Sequence, residues 1–510
     1  MMNIKTRSLF VAGLSLMAGL TTPALAKKNL PQEPHKKPHI FLIMTDQQRG
    51  DCIGKSNPLI NTPNLDQLAD NGVWFTNGYS SVPSCTPARA GLLTGMSPWN
   101  HGMLGYYKVA EKYKYEMPQM LKEAGYYTVG IGKMHWHPQR NLHGFHQTIL
   151  DESGRVESDD FISDYRQWFK EVAPKLDPDA TGIGWNEHRS GTYVLAENLH
   201  PTYWTAQTAI DIIHDYDKEQ PLYMKVSFAR PHSPYDPPKR YLDMYADTPI
   251  PAPYVGEWAK QYADNPKTAD AAFGDFGVEH AIESRRHYYG SITFIDDQIG
   301  RFIEELKKAG MYENALIVFT SDHGDMLGDH HHWRKTYAYE GSTHVPYIMK
   351  WPSNEKVKVK KGTALDYPVE LRDFLPTFLD AAGATIPQEM DGASLLTLVQ
   401  DKKPAWREYI DLEHATTYKK HNYWCALTDG NVKYVWFFRT GEEQLFDMTK
   451  DPGELINLID SPSYAEAAQL WRGRMVEHLS ERGAPYVVDG KLSTFQKNLL
   501  TGPNYPKDNN

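Results

Sequence analysis

The stretch His39-Ile40-Phe41-Leu42-Ile43-Met44-Thr45-Asp46 runs apolar without alternation from Ile40 to Met44 and then stops on a carboxylate. A short apolar run with no polar face fits a strand buried on both sides, the kind found inside a parallel sheet. Working outward, three more runs behave alike. Residues 126–131 lead into Gly132-Lys133-Met134-His135, residues 222–228 into Arg230-Pro231-His232, and residues 315–320 into Ser321-Asp322-His323. Between them lie helix-like stretches at 116–124, 202–217 and 288–309, the last stopped by Gly310. Strands alternating with helices predict an α/β protein: a large, mostly parallel sheet flanked by helices on both faces. Ligands gather at the carboxyl ends of such strands. Asp46, Gln47, Lys133, His135, His232, Asp322 and His323 are therefore expected to converge.

Residues 150–199 and 247–281 are long and polar with weak periodicity, and read either as walls of a pocket or as solvated surface loops. Past about Pro387 the pattern changes. Residues 423–427, 432–438 and 444–447 read as short antiparallel strands with Asp429-Gly430 at a hairpin turn, and 464–482 as a helix. The expected organisation is a main domain at 27–386 and a smaller C-terminal α+β subdomain at 387–510 containing an antiparallel sheet.

Composition fits a globular chain able to bury a large core: 510 residues, 41% hydrophobic and 23% charged. Lys5 and Arg7 precede an apolar run at 9–20, and Ala24-Leu25-Ala26 offers a cleavage site, so residues 1–26 read as a signal peptide. That run is too short to cross a bilayer. The expectation is a chain handed to the export machinery, periplasmic or extracellular, with no membrane span after cleavage. The net charge of −10 becomes −12 once Lys5 and Arg7 are removed, which argues against nucleic-acid binding. Three cysteines, Cys52, Cys85 and Cys425, do not make a disulfide scaffold.

One motif carries chemistry of its own. Ser84-Cys85-Thr86-Pro87-Ala88-Arg89 is followed by Ala90-Gly91-Leu92-Leu93-Thr94-Gly95. Taken alone, Cys85 also reads as a small buried hydrophobe. The Cys-x-Pro-x-Arg pattern and its extension resemble the formylglycine-dependent (type I) sulfatases of the alkaline phosphatase superfamily, in particular exported bacterial glycan sulfatases. Gly132-Lys133-Met134-His135, Pro231-His232-Ser233-Pro234, Asp322-His323 and the stretch from Gly328 to Lys335 resemble further family elements, and Asp451-Pro452-Gly453-Glu454 a C-terminal turn.

The resemblance implies an alkaline-phosphatase-like fold and hydrolysis of O-sulfate esters. It implies that a formylglycine-generating or anaerobic sulfatase-maturating enzyme oxidises Cys85 to formylglycine on the unfolded chain, and that the hydrate attacks sulfur. One Ca2+, with Mg2+ as the alternative, would be held by Asp46, Gln47, Asp322, His323 and the modified Cys85. Oxygen donors suit a hard cation, whereas His323 is less usual for calcium. Arg89 would hold the nucleophile and the metal carboxylates, and Lys133 and Lys335 would contact the sulfate. His135 would accept the proton released as sulfate leaves, and His232 would protonate the departing alkoxide.

The substrate expected is a sulfated carbohydrate such as a glycosaminoglycan fragment. Trp136, Tyr106, Tyr107 and Trp333 lie near the catalytic elements and could stack on a sugar, though aromatics more often fill cores. Arg140, Lys108 and Arg334 could grip a uronate or a second sulfate. His330-His331-His332 lacks zinc-ligand spacing and reads as surface or pocket-rim histidines. The alternatives are a phosphonate or phosphate diester hydrolase of the same superfamily, an arylsulfatase of broad specificity, and a non-catalytic glycan-binding protein.

Overall fold

The computed structural model describes residues 37–152, 161–264, 268–353, 360–400 and 404–507. The expected signal peptide at 1–26 lies outside these residues. Residues from Lys37 onward form one compact unit.

Fourteen strands matter here: β1 (His39–Asp46), β2 (Val73–Phe75), β3 (Gly78–Tyr79), β4 (Tyr127–Gly132), β5 (Gln147–Leu150), β6 (Leu222–Pro231), β7 (Ala315–Ser321), β8 (Tyr347–Lys350), β9 (Thr363–Leu365), β10 (Val369–Glu370), β11 (Ile410–His414), β12 (Trp424–Thr428), β13 (Val432–Phe437) and β14 (Glu443–Asp447). The main sheet has eight strands in the order β5-β4-β6-β1-β7-β8-β2-β9. Every neighbouring pair from β5 to β7 is parallel, and β8 runs antiparallel to both β7 and β2. The large parallel sheet expected from the sequence is present.

β1 sits at the centre, with Ile43 opposite Val226 of β6 and Phe319 of β7. Its side chains alternate between two cores. Ile40, Leu42 and Met44 face one core with the helices Cys85–Thr94 and Phe374–Ala381, while Phe41 and Ile43 face another with Pro63–Asp70, Pro201–His214 and Val278–Lys308. Both faces are covered, which is why the strand shows no polar face. After β1 the chain first lays down β2 near the far edge, then builds the other side through β4, β5 and β6 before crossing back to β7 next to β1. That reversal opens a crevice at the carboxyl end of β1.

β11 to β14 form the expected antiparallel sheet. One face packs on the helix Ala465–Ser480 through Trp471, Met475 and Leu479, and the other on Tyr79, Met326, Tyr337 and Tyr339. The sheet thus buttresses the segment that follows β7. On β11, Ile410, Leu412 and His414 alternate with the buried acids Asp411 and Glu413. Glu413 accepts both ends of the Arg482 fork at 2.9 and 2.7 Å.

The structure extends several expectations. The long helix begins ten residues before the predicted start, because its first turns carry polar residues that hide the apolar period. Within the stretch read as loop at 150–199, a helix spans Asp164–Val172 with Ser163 accepting from the Arg166 N–H as its cap.

Because Arg482 and Glu413 are buried together, removing one partner leaves an uncompensated charge. Arg482→Met should cost about 3–5 kcal/mol of stability in urea unfolding, and adding Glu413→Leu should recover much of that loss.

Candidate active site

Four strand ends supply the site. Asp46 ends β1 and Gln47 follows it, Lys133 and His135 follow β4, His232 follows β6, and Asp322 and His323 follow β7. The helix Cys85–Thr94 starts on Cys85 and aims its amino end at the same crevice. Ser84 precedes the helix, but its hydroxyl is turned to His414 Nε2 at 2.8 Å and makes no cap bond.

Arg89 lies one turn below Cys85 and is fully enclosed. Its Nε donates to Asp322 Oδ2 at 2.9 Å, and one terminal nitrogen donates to the Lys133 carbonyl at 2.5 Å and to Ser227 Oγ at 3.1 Å. The other stands 3.6 Å from Asp46 Oδ2, which also pairs with the Lys133 ammonium. Burial opposes the charge of Asp46, yet Lys133, His232, Lys335 and Arg89 hold its carboxyl well below the usual range.

Cys85 Sγ lies 3.3 Å from Lys335 Nζ, 3.2 Å from His323 Nε2 and 3.8 Å from Asp46 Oδ1. Burial and Asp46 push its thiol up, but Lys335, Lys133 and His323 outweigh them and bring it down to about 6. The surrounding cations thus favour the thiolate of the unmodified side chain.

Ligand atoms of Asp46, Cys85, Asp322 and His323 all fall within 4.8 Å of one another. His323 Nδ1 donates to the Gly324 carbonyl at 2.9 Å, which turns Nε2 toward the two carboxylates at 3.7 and 3.6 Å. Ligands at right angles about a cation at about 2.3–2.6 Å lie about 3.3–3.7 Å apart. The spacing and the convergence of lone pairs therefore fit a divalent cation. Gln47 approaches differently: its Nε2 donates to Asp325 Oδ2 at 2.6 Å and its Oε1 accepts from Lys335 Nζ at 2.8 Å. The amide oxygen keeps a second lone pair. Its backbone has φ 72°, held by the N–H on Asp322 Oδ1 and the carbonyl on the Tyr288 hydroxyl.

His135 also has positive φ, 58°, and Glu152 fixes it by accepting its N–H at 3.0 Å and that of Met134 at 3.1 Å. The ring nitrogen Nε2 lies 3.3 Å from the Tyr106 hydroxyl. His232 donates its N–H to the Asp46 carbonyl and Nδ1–H to the Ser233 carbonyl, directing Nε2 away from both. Every predicted site residue thus lies at the carboxyl edge around Cys85. Glu152, Ser227 and Asp325 were not expected. Asp325 had a signal, since it stands in the same Asp322-to-Asp325 cluster, whereas Glu152 and Ser227 reach the site only through tertiary folding.

The aromatic expectations divide. Trp136 is buried against His143 and Phe145, and Trp333 is buried against His188, so neither faces a substrate. His330 and His332 are likewise buried, among Trp258, Tyr262, Tyr337 and Tyr339, and do not form a rim. Beside Cys85 a cavity of about 350 Å³ is lined by Ser84, Tyr106, Trp185, Lys335 and Tyr418, among others.

The sulfatase family profile matches residues 38–384, and that of the N-sulphoglucosamine sulphohydrolase C-terminal region matches 328–481. An arylsulfatase of Clostridium perfringens is 41% identical over 471 residues, covering 89% of this chain and 97% of the relative. A choline-sulfatase of Rhizobium meliloti is 31% identical over 455 residues, covering 84% and 83%. The fold matches a protein solved with its substrate D-glucosamine-2-N,6-O-disulfate, at TM-score 0.71, 23% identity and 88% and 99% coverage. It also matches a phosphonate monoester hydrolase of Silicibacter pomeroyi, at TM-score 0.73, 23% identity and 90% and 99% coverage. With the profile spanning most of the chain and these relatives at full length, the protein belongs to the sulfatase family and is a sulfuric ester hydrolase.

Proposed function

We propose that this enzyme desulfates a sulfated carbohydrate, such as a glycosaminoglycan fragment, and that Cys85 acts as formylglycine. The observation that carries the reading is a buried cluster at the strand ends in which Lys335 and His323 contact the Cys85 sulfur and Arg89 and Lys133 pair with Asp46 beside it, next to an aromatic-lined cavity. A relative from Bacteroides thetaiotaomicron, 27% identical over 528 residues, is an N-acetylglucosamine-6-O-sulfatase, which supports a sugar as the alcohol.

The residues divide the work. Arg89, Lys133 and Lys335 offer positive charge to a sulfate group, placed in a dry site where it counts most. Arg89 ties the nucleophile's helix to Asp46 and Asp322, so the attacking group and the charge that receives sulfate move as one unit. His135, fixed by Glu152, takes the hemiacetal proton as sulfate leaves, and His232 supplies one to the departing sugar oxygen. Asp46, Asp322 and His323, with the Gln47 oxygen, would hold Ca2+ or Mg2+, which when bound adds charge against the sulfate and polarises the nucleophile.

Maturation would precede folding, because Cys85 is wholly enclosed. Export to a periplasmic or extracellular space, resting on Lys5, Arg7 and the apolar run after them, completes the proposal.

Mass spectrometry of the Cys85 peptide, from protein made in its own host, should show the aldehyde in place of the thiol; an unmodified thiol would overturn the formylglycine reading. Cys85→Ala should lower kcat on the order of 10⁴-fold or more. Asp322→Ala should strip the divalent metal detected by elemental analysis of the purified enzyme, and chelation of the wild type should abolish sulfate release until Ca2+ or Mg2+ is restored. His232→Ala should cost about 10²–10⁴-fold on sugar sulfates and much less on 4-nitrophenyl sulfate, whose leaving group needs little acid. Matched sulfate and phosphodiester substrates test the rival chemistry suggested by the phosphonate monoester hydrolase fold. Faster turnover of the diester would reverse the assignment.

A further inference from the structure

The cavity beside Cys85 carries a cation that the proposed chemistry does not use. Arg334 lines it next to Lys335, whose ammonium touches the nucleophilic sulfur, so an anion on Arg334 would sit one residue along from the scissile group. Arg334 is 7% exposed, and its guanidinium lies over the Tyr418 ring at 4.4 Å. One terminal nitrogen donates to the Asp270 carbonyl at 2.7 Å, while the buried Nε–H has no hydrogen-bond partner among the described residues. The exposed Asp270 carboxylate is close enough to feel its charge, without forming an ion pair. A guanidinium held this way keeps an N–H for a charge-assisted hydrogen bond to an anion.

Its pose is imposed by the surroundings. Arg334 has φ 66°, with its N–H on Asp325 Oδ1 and its carbonyl accepting from Met326 N–H. Backbone strain of this kind persists only where neighbours over-determine it, and it clusters at ligand sites. Trp185 also lines the cavity, and its ring carries the Arg230 guanidinium at 5.0 Å. An aromatic residue and a cation lining one cavity suit a sugar ring carrying an acidic substituent. Of the other cations singled out in the sequence, neither takes this place. Arg140 is exposed and paired with Asp164 at 2.6 Å, and Lys108 does not line the cavity.

We infer that Arg334 is a specificity-determining residue that binds a second anionic group of the substrate, a carboxylate or a second sulfate, beside the ester being cleaved. The inference rests on the sulfated-carbohydrate reading above and names its substrate class.

The test measures free sulfate released by the matured enzyme from three substrate sets: hexosamine monosulfates, the corresponding disulfates, and disaccharides placing a uronate next to the sulfated sugar. Wild type should favour the doubly anionic sets, and Arg334→Gln should shrink that preference about 10- to 100-fold, with Arg334→Lys recovering part of it. A larger loss on disulfates identifies a second sulfate as the ligand, and a larger loss on uronides a carboxylate. Equal treatment of single and double anions by wild type, or a preference unchanged in Arg334→Gln, overturns the inference alone. Failure of wild type to release sulfate from any sugar overturns the reading beneath it. If Arg334→Gln melts far below wild type, calorimetry replaces it: wild type should bind desulfated products that keep the second anion at least about ten-fold tighter than those that lack it, and equal binding overturns the inference.

Discussion

The Arg89 guanidinium is the contact on which the site depends. A helix that starts at Cys85 has no covalent reason to face the ends of β1, β4 and β7, and Arg89 provides one by bonding to all three. It reaches Asp46 after β1's apolar run, the Lys133 carbonyl after β4, and Asp322 after β7, with Ser227 of β6 as a fourth anchor. A fully enclosed cation costs several kcal/mol in desolvation unless nearly every donor is matched. Here Nε and one terminal nitrogen are matched at the strand ends, while the other terminal nitrogen stands 3.6 Å from Asp46 without a hydrogen bond among the described residues. The carboxylates that hold Arg89 are the same ones that gather around Cys85.

Charge within the cluster is balanced by sign. Arg89, Lys133 and Lys335 gather around Asp46 and Asp322 beside Cys85, so cations are concentrated at the nucleophile although the whole chain is acidic. A sulfated sugar would meet an overall negative protein and, at the nucleophile, this group of cations. That arrangement favours capture in the cleft over adsorption to the surface.

Much of this was legible in sequence because central parallel strands must be apolar on both faces. The change to Asp, Lys or His then marks where β1, β4, β6 and β7 stop. What stayed hidden had polar or orientational causes. β11 places Asp411 and Glu413 in the interior opposite Arg372 and Arg482, so it does not look like a buried strand. Trp136 sits beside His135 yet turns into the core, because neighbouring residues point to different sides and proximity in sequence does not fix direction. Glu152 and Trp185 belong to a stretch without periodicity, and only the folded chain brings the first to His135 and the second to the cavity.

The antiparallel direction of β8 has a consequence for how the site is built. Thr320 of β7 pairs with Tyr347 of β8, so the chain leaves the sheet and re-enters it at the same edge. Everything between, including Asp322, His323, Asp325, Arg334 and Lys335, is one closed excursion that never crosses a face of the sheet. A parallel return would have required a helix traversing the full height of the molecule. The excursion has fixed ends on adjacent strands, and most of its length is buried, with Met326, Tyr337 and Tyr339 packed on the antiparallel sheet. The C-terminal sheet therefore acts as a mould for the loop, holding Arg334 and Lys335 in place as firmly as the strand end holds Asp322 and His323.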